Sequence, residues 1–422
     1  MRPSTASARN ARRVIVPLLA LVATAWLAAC SGSARSSSAS SMPSAPPLPV
    51  SMSSSPSSPP ASRTASGLDG AEATIRAAIT AGDIKGLALA YIEDGEVRAV
   101  RGYGHRNASG QALQTGTVMY GASLTKTVFA YTVMQLADEG VIDLDASISR
   151  YLDRPLPDYR RSGRWQDLRD DPRWRDITPR MLLSHRAGFA NFAFLEPDGK
   201  LRLHFDPGSR YAYSGEGMIL LQLVLEQGRP GLDLGREMQR RVFDRFGMAT
   251  TSMTWRADFA ANLADGVTKD RRWVPHDERS RVRAAGSMDT TIEDFARFAA
   301  GLMRGDGLSP RSRAEMTRPQ APITTASQFP TLQPELPVAR RRPDLAAGLG
   351  VVVFDGPQGH AFFKGGHDDQ TGNTMVCVER RRACVVLLSN DVMAETLYPT
   401  IVRQLLGEAG VPWEWEYGAT TR

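Results

Sequence analysis

The order of elements along the chain predicts an α+β fold: an antiparallel sheet flanked by helices, with a helical subdomain between its two sets of strands. Three observations carry this prediction. Two strand-like runs joined through Asp94-Gly95 open the folded region, four more strand-like runs lie between Leu349 and Leu388, and the stretch between them has mostly helical periodicity. A chain of 422 residues, 42% hydrophobic and 23% charged, can bury one large core. No internal repeat is visible.

Residues 69–81 have helical spacing. Gly86–Ile92 and Val97–Tyr103 read as strands, and Asp94-Gly95 between them is a favoured hairpin turn. A helix follows around Ser123, with Val128, Phe129, Val133, Met134 and Leu136 at near-helical spacing until Gly140. Thr178 can cap a helix that has Pro179 at its first position, and 217–226 and 234–246 carry further apolar periodicity. The polar run from Arg154 to Asp176, rich in Arg, Asp and Trp, reads as a lid or a solvated loop, with the solvated loop favoured. Strand signals return at 349–354, 361–364, 374–379 and 383–388, and 394–407 reads as a closing helix.

The formal net charge of +6 is confined to one end. Residues 1–67 carry six arginines and no acid, and the remaining chain has 45 basic and 45 acidic side chains, so the folded part has no basic footprint for nucleic acid. Within that arm, Arg9, Arg12 and Arg13 precede an apolar stretch from Val14 to Ala29 that is too short and wrongly flanked for an ordinary spanning helix. It ends in Leu27-Ala28-Ala29-Cys30, which resembles the lipobox of bacterial lipoproteins. The resemblance implies a signal peptide over 1–29, cleavage before Cys30, a lipidated Cys30 and a membrane anchor. With Ser31 after the cysteine, it also implies a cell-envelope location at the outer membrane, facing the periplasm. Residues 30–67, almost all Ser, Pro and Ala, read as a flexible tether, and 68–422 as the functional domain.

Cys377 and Cys384 flank a turn centred on Arg380-Arg381 between two β-rich runs. Two readings are open: a cross-strand disulfide, permitted in an oxidising compartment, or two reduced core cysteines. The six histidines show no metal-binding spacing, and neither a metal nor a cofactor is expected.

Ser123 and Lys126 stand three residues apart where a helix begins. A serine hydroxyl needs a base to take its proton, and a lysine on the same helical face can serve once desolvation has made it neutral. The positive end of the helix favours a developing alkoxide and disfavours an ammonium. Of 51 basic residues 46 are arginine, which cannot be deprotonated in a protein, and two of the five lysines, Lys126 and Lys364, sit in candidate motifs.

GASLTK at 121–126, ITPRMLLSHRAGF at 177–189, FDPGSRYAYSGEG at 205–217, AAGSMDTTIEDFARF at 284–298 and FFKGGHDDQTGN at 362–373 together resemble, in order and spacing, the serine β-lactamases and penicillin-recognising enzymes. The likeness is to the class C-like branch, which also holds D-alanyl-D-alanine carboxypeptidases and esterases, and it spans roughly 68–407. It implies a β-lactamase/transpeptidase-like fold with Ser123 as nucleophile, Lys126 as base, and Tyr213 sharing the base role or protonating the leaving group. It also implies that Lys364-Gly365-Gly366 edges the site, with the N–H groups of Ser123 and His367 as the oxyanion hole. His185 and His204 read as structural.

Two departures bear on the substrate. Gly215 stands where the family has an asparagine that contacts the lysine and the substrate amide. Gly365 stands where it has a threonine that helps hold a substrate carboxylate. Glu216 and Arg283 are candidates for compensation. Loss of hydrogen-bonding groups weakens β-lactam and peptide recognition more than ester cleavage. The sequence therefore reads as a lipid-anchored, cofactor-free serine hydrolase of a small ester or amide. The alternatives are a β-lactamase or carboxypeptidase acting on β-lactams or cell-wall peptide, and a non-catalytic envelope-binding lipoprotein.

Overall fold

The computed structural model describes residues 60–160 and 163–418. The segment read as a signal peptide, Cys30 and the stretch read as a tether as far as residue 59 lie outside the described residues. The first helix, α1 (Pro60–Ala81), begins inside the segment read as tether, so 60–67 are helical.

The hairpin β1 (Gly86–Glu93) and β2 (Glu96–Gly104) comes next, followed by β3 (Met119–Tyr120) and α2 (Leu124–Asp138). The middle of the chain holds α3 (Pro179–Leu183), α4 (Gly215–Gln227) and α5 (Leu234–Met238), and the apolar repeat expected to run to Phe246 continues past α5 as a wider π turn, Gln239–Phe243. Short strands β4 (Gly266–Val267), β5 (Trp273–Val274) and β6 (Asp289–Thr290) lead to α6 (Ile292–Arg304) and α7 (Pro310–Thr317). The last third supplies β7 (Ala321–Pro322), β8 (Ala346–Ala347), β9 (Val352–Gly356), β10 (Gly359–His367), β11 (Gly372–Val378) and β12 (Ala383–Ser389), then α8 (Tyr398–Leu406) and α9 (Trp413–Tyr417). The expected closing helix therefore has two parts, a 3₁₀ turn over Val392–Leu397 and then α8, which has Pro399 in its first turn.

Eight strands form one sheet in the order β2-β1-β12-β11-β10-β9-β8-β7, every neighbour antiparallel. Segments from both ends of the chain meet in its middle, where Leu87 pairs with Ser389 and Ile92 with Cys384. β1 is buried on both faces, which is why GLALAYI reads as an unbroken apolar run. Its residues divide by strand period: Leu87, Leu89 and Tyr91 pack with α1 and α8, while Ala88, Ala90 and Ile92 face the larger core with α2 and α6. α2 is buried over all of Leu124–Leu136, apolar nearly all round, and so lies in the interior rather than on a surface.

Among its described residues, the polar run at 154–176 is neither a lid nor a solvated loop. Three 3₁₀ turns, Leu156–Asp158, Trp165–Leu168 and Pro172–Asp176, press Leu156, Tyr159, Trp165, Leu168 and Trp174 into the core, each at most 3% exposed. The anchors sit at irregular spacing among outward-facing charges, so no periodicity announces them.

Cys377 and Cys384 are cross-strand partners joined by a disulfide, both fully buried, and the Arg382 N–H donates to Glu379 O across the turn. Of the two open readings the bonded one holds. Replacing both cysteines by alanine is expected to lower unfolding stability by about 2–3 kcal/mol through the loop constraint alone. A denaturant midpoint against the wild type measures it.

Candidate active site

The site forms where α2 begins between the sheet and the helical region. Ala122 has φ +46°, a left-handed backbone that a non-glycine residue rarely adopts, and Ser123 follows at the start of the helix. The serine side chain makes no capping hydrogen bond. Its Oγ instead lies 2.9 Å from Lys126 Nζ and accepts from Tyr213 OH at 2.7 Å.

Lys126 is 1% exposed, with its amine also donating to the carbonyl of Ala285. Burial holds its pKa well below the usual lysine value, and the nearby Lys364 cation lowers it further. A neutral amine with one N–H on Ala285 O can direct its lone pair at the Ser123 hydroxyl. Tyr213 is 3% exposed, and burial raises its pKa, which keeps it a phenol that donates. Of the two roles implied for Tyr213, this environment suits proton donation. His185 is structural: its ring packs 4.5 Å from the Tyr213 ring and its Nδ1 accepts from Ser214 N. His204 pairs with Glu196.

Beyond Phe363, β10 keeps β11 on one side but has lost β9 on the other. That free edge carries Lys364, Gly365, Gly366 and His367. A Cβ built on Gly366 would lie 2.9 Å from Leu124 N and 3.0 Å from Gly121 O, so the bare glycine lets β10 press against the start of α2. Lys364 Nζ sits 5.0 Å from the centre of the Tyr213 ring and donates to Gly365 O, and burial pushes its pKa down to about 8. The His367 imidazole meets Glu395 at 2.9 Å; burial lowers its pKa, but that carboxylate outweighs the burial and raises it overall.

The two departures have occupants. A Cβ on Gly215 would lie 2.3 Å from Phe192 Cε1, so an aromatic ring from the preceding loop fills the place of a side chain there. A Cβ on Gly365 would lie 2.0 Å from Glu416 Oε1. Of the named candidates for compensation, Glu216 Oε1 accepts from Ala193 N and ties down the loop that carries Phe192, while Arg283 lines the cleft. Asn191, whose Oδ1 accepts from Gly215 N, also lines the cleft.

The cleft, about 920 Å³, is lined by Ser123, Lys126, Tyr213, Phe192, Phe329 and His367 among others. Phe329 bridges two of them, its ring 5.4 Å from Tyr213 and 5.6 Å from His367. Phe192, Phe329, Glu416 and Tyr417 are absent from the sequence reading. They come from loops and from α9, which have no motif of their own, and only the three-dimensional fold brings them to Ser123. No group of His, Cys, Asp or Glu among the described residues could hold a metal ion.

A family profile described as Beta-lactamase matches residues 71–400. Lovastatin esterase of Penicillium rubens is 26% identical over 340 residues, 71% of this chain and 79% of that protein. A class C beta-lactamase structure superposes with a TM-score of 0.64 at 16% identity, covering 81% of this chain and 96% of its own. D-alanine carboxypeptidase AmpC from Burkholderia cenocepacia does so with a TM-score of 0.62 at 17% identity, covering 81% and 98%. These two likenesses establish the fold. With the family match spanning most of the chain, the protein belongs to the β-lactamase family of serine hydrolases and has the β-lactamase/transpeptidase fold.

Proposed function

We propose that this protein hydrolyses a small carboxylic ester or amide through an acyl-enzyme on Ser123, an ester being favoured. The observation that carries this reading is the meeting of Ser123 Oγ with a buried Lys126 amine at 2.9 Å and a buried Tyr213 phenol at 2.7 Å. Lys126 takes the hydroxyl proton as Oγ attacks the carbonyl carbon. The N–H groups of Ser123 and His367 receive the negative charge of the tetrahedral intermediate. Tyr213, which donates to Oγ, passes a proton to the leaving group, and water then attacks the acyl-enzyme by the same route in reverse.

Preference for an ester over a β-lactam or cell-wall peptide is supported by the occupants of the two glycine positions. Phe192 and Glu416 stand where hydrogen-bonding side chains would otherwise reach the substrate. Similarity to a protein named for cleaving an ester of lovastatin points the same way. The buried disulfide supports an exported protein, and export fits the anchored, periplasm-facing lipoprotein that Cys30 implies.

The test is intact mass and peptide mapping after exposure of the protein to a fluorophosphonate, with benzylpenicillin in parallel. The expected result is a phosphonyl adduct on Ser123 and no penicilloyl adduct, from protein that cleaves a short neutral aryl ester. Folded protein that takes no phosphonate would favour the non-catalytic envelope-binding reading. A penicilloyl adduct on Ser123 would put the β-lactam or cell-wall reading first.

A further inference from the structure

The segment 190–195 builds an apolar wall into the cleft. Four hydrogen bonds tie it to the first turn of α4: Ser214 Oγ donates to Ala190 O, Gly215 N to Asn191 Oδ1, Glu216 N to Asn191 O, and Ala193 N to Glu216 Oε1, each 2.8 or 2.9 Å long. These bonds fix the path of the segment and with it the two rings it carries. Phe192 fills the space at Gly215 and packs on the larger core. Ile219 lies one helical turn beyond Gly215, on the same face of α4, and packs on that core as well. Phe194, on the 3₁₀ turn Ala193–Leu195, stacks on Phe192 with ring centres 5.2 Å apart and planes 11° apart, yet is 74% exposed. Phe192, Phe194 and Ile219 all line the cleft that holds Ser123. A ring held in a stack beside a nucleophile, with most of its surface in water, is apolar area that a bound chain would cover.

We infer that Phe192, Phe194 and Ile219 are specificity-determining residues: they form a subsite for the acyl side of the ester and select an extended apolar acyl group over a short one or one interrupted by an amide. The inference rests on the acyl-enzyme reading and deepens it by naming the acyl group. In that reaction the carbonyl oxygen turns to the Ser123 and His367 N–H groups and the leaving group to Tyr213, and Phe329 stands between Tyr213 and His367. The acyl group takes a direction away from both. The hairpin tip that also lines the cleft, with Thr268, Lys269, Asp270 and Arg272, is polar throughout, so an apolar chain gains by lying on the aromatic wall instead. An amide in that chain would give up water over rings that offer it no hydrogen bond. The wall is held in place before substrate arrives, so covering it costs no ordering of the loop.

The probes are 4-nitrophenyl acetate, 4-nitrophenyl hexanoate and 4-nitrophenyl 3-acetamidopropanoate, the last matching the hexanoate in chain length with an amide in place of two methylenes. Each kcat/KM is divided by the ester's rate constant with hydroxide, so that intrinsic reactivity cancels. Wild type is expected to favour the hexanoate over each of the other two by about fivefold or more, since one fully covered methylene is worth about fourfold. Phe194→Ala is expected to lower both ratios by about threefold or more, and Phe194→Leu, which restores apolar area, to recover at least half of the loss. Either wild-type ratio below the expected level, which needs no variant to fold, overturns the inference and leaves the hydrolase reading standing when the acetate is cleaved. A smaller fall in Phe194→Ala, with a melting curve that shows folded protein, also overturns it. Wild type that cleaves none of the three esters overturns the hydrolase reading and this inference with it.

Discussion

Lys126→Arg and Ser123→Ala, alone or together, are each expected to lower kcat/KM for a neutral aryl ester by about 10³-fold or more, with the double variant no worse than the poorer single. Both act on one proton transfer, so once either partner is gone the other has nothing left to contribute. The arginine variant is the more telling. It keeps a cation of similar reach but cannot give up its proton, so a lysine acting as a fixed positive charge would survive the exchange and a lysine acting as a base would not. A pH profile separates the same two cases. Because burial and Lys364 depress the Lys126 pKa, the neutral amine is populated below the ordinary lysine range, and the rate should fall as pH drops through that depressed value. The sign for stability runs with it: the unfolded chain binds a proton on Lys126 that the folded chain resists, so stability is lost as pH falls below the ordinary lysine value. Lys126→Met should therefore be inactive yet melt above the wild type, a trade expected where a site is held in a costly state for its chemistry. A methionine variant that is inactive and melts lower would mean that the lysine is a packing element.

Why Lys126 could be found in the sequence and Glu416 could not is a matter of range. Ser123 and Lys126 are neighbours on one helix turn, so their spacing alone places them together. The scarcity of lysine in an arginine-rich chain then marks the ones retained. The hairpin at Asp94-Gly95, the cap at Thr178 with Pro179, and the facing positions of Cys377 and Cys384 are equally local, and each is found in the fold. Phe192, Phe329 and Glu416 act through packing between segments far apart in the chain, and a glycine records only that something else needs the space. Gly215 and Gly365 read as losses because the ring and the carboxyl that fill them lie in unmarked stretches. The run at 154–176 misleads for a related reason: its charges dominate the composition, while a few widely spaced Trp, Tyr and Leu side chains decide where it goes.

Gly366→Ala is expected to lower kcat for the neutral ester by about 10²–10³-fold with KM changed less than threefold, the cost of spoiling an oxyanion hole rather than of losing a binding contact. The added Cβ would lie 2.9 Å from Leu124 N and 3.0 Å from Gly121 O, main-chain atoms on either side of the nucleophile, which cannot swing aside as the end of a side chain can. Relief requires β10 to move away from the start of α2. That motion separates the His367 N–H from the Ser123 N–H, the two donors proposed to receive the developing charge. Lys126, Tyr213 and Ser123 stay together, because their contacts run through α2, the Ala285 carbonyl and the segment before α4 rather than through β10. The proton transfer should accordingly survive while the stabilisation of the intermediate does not, and the pH dependence of the residual rate should stay close to the wild type, because burial rather than Lys364 on β10 is the larger cause of the depressed Lys126 pKa. An alanine variant with wild-type kcat would show that the strand has room to yield and that the oxyanion is held elsewhere. A shifted pH profile would show that the strand positions the base as well.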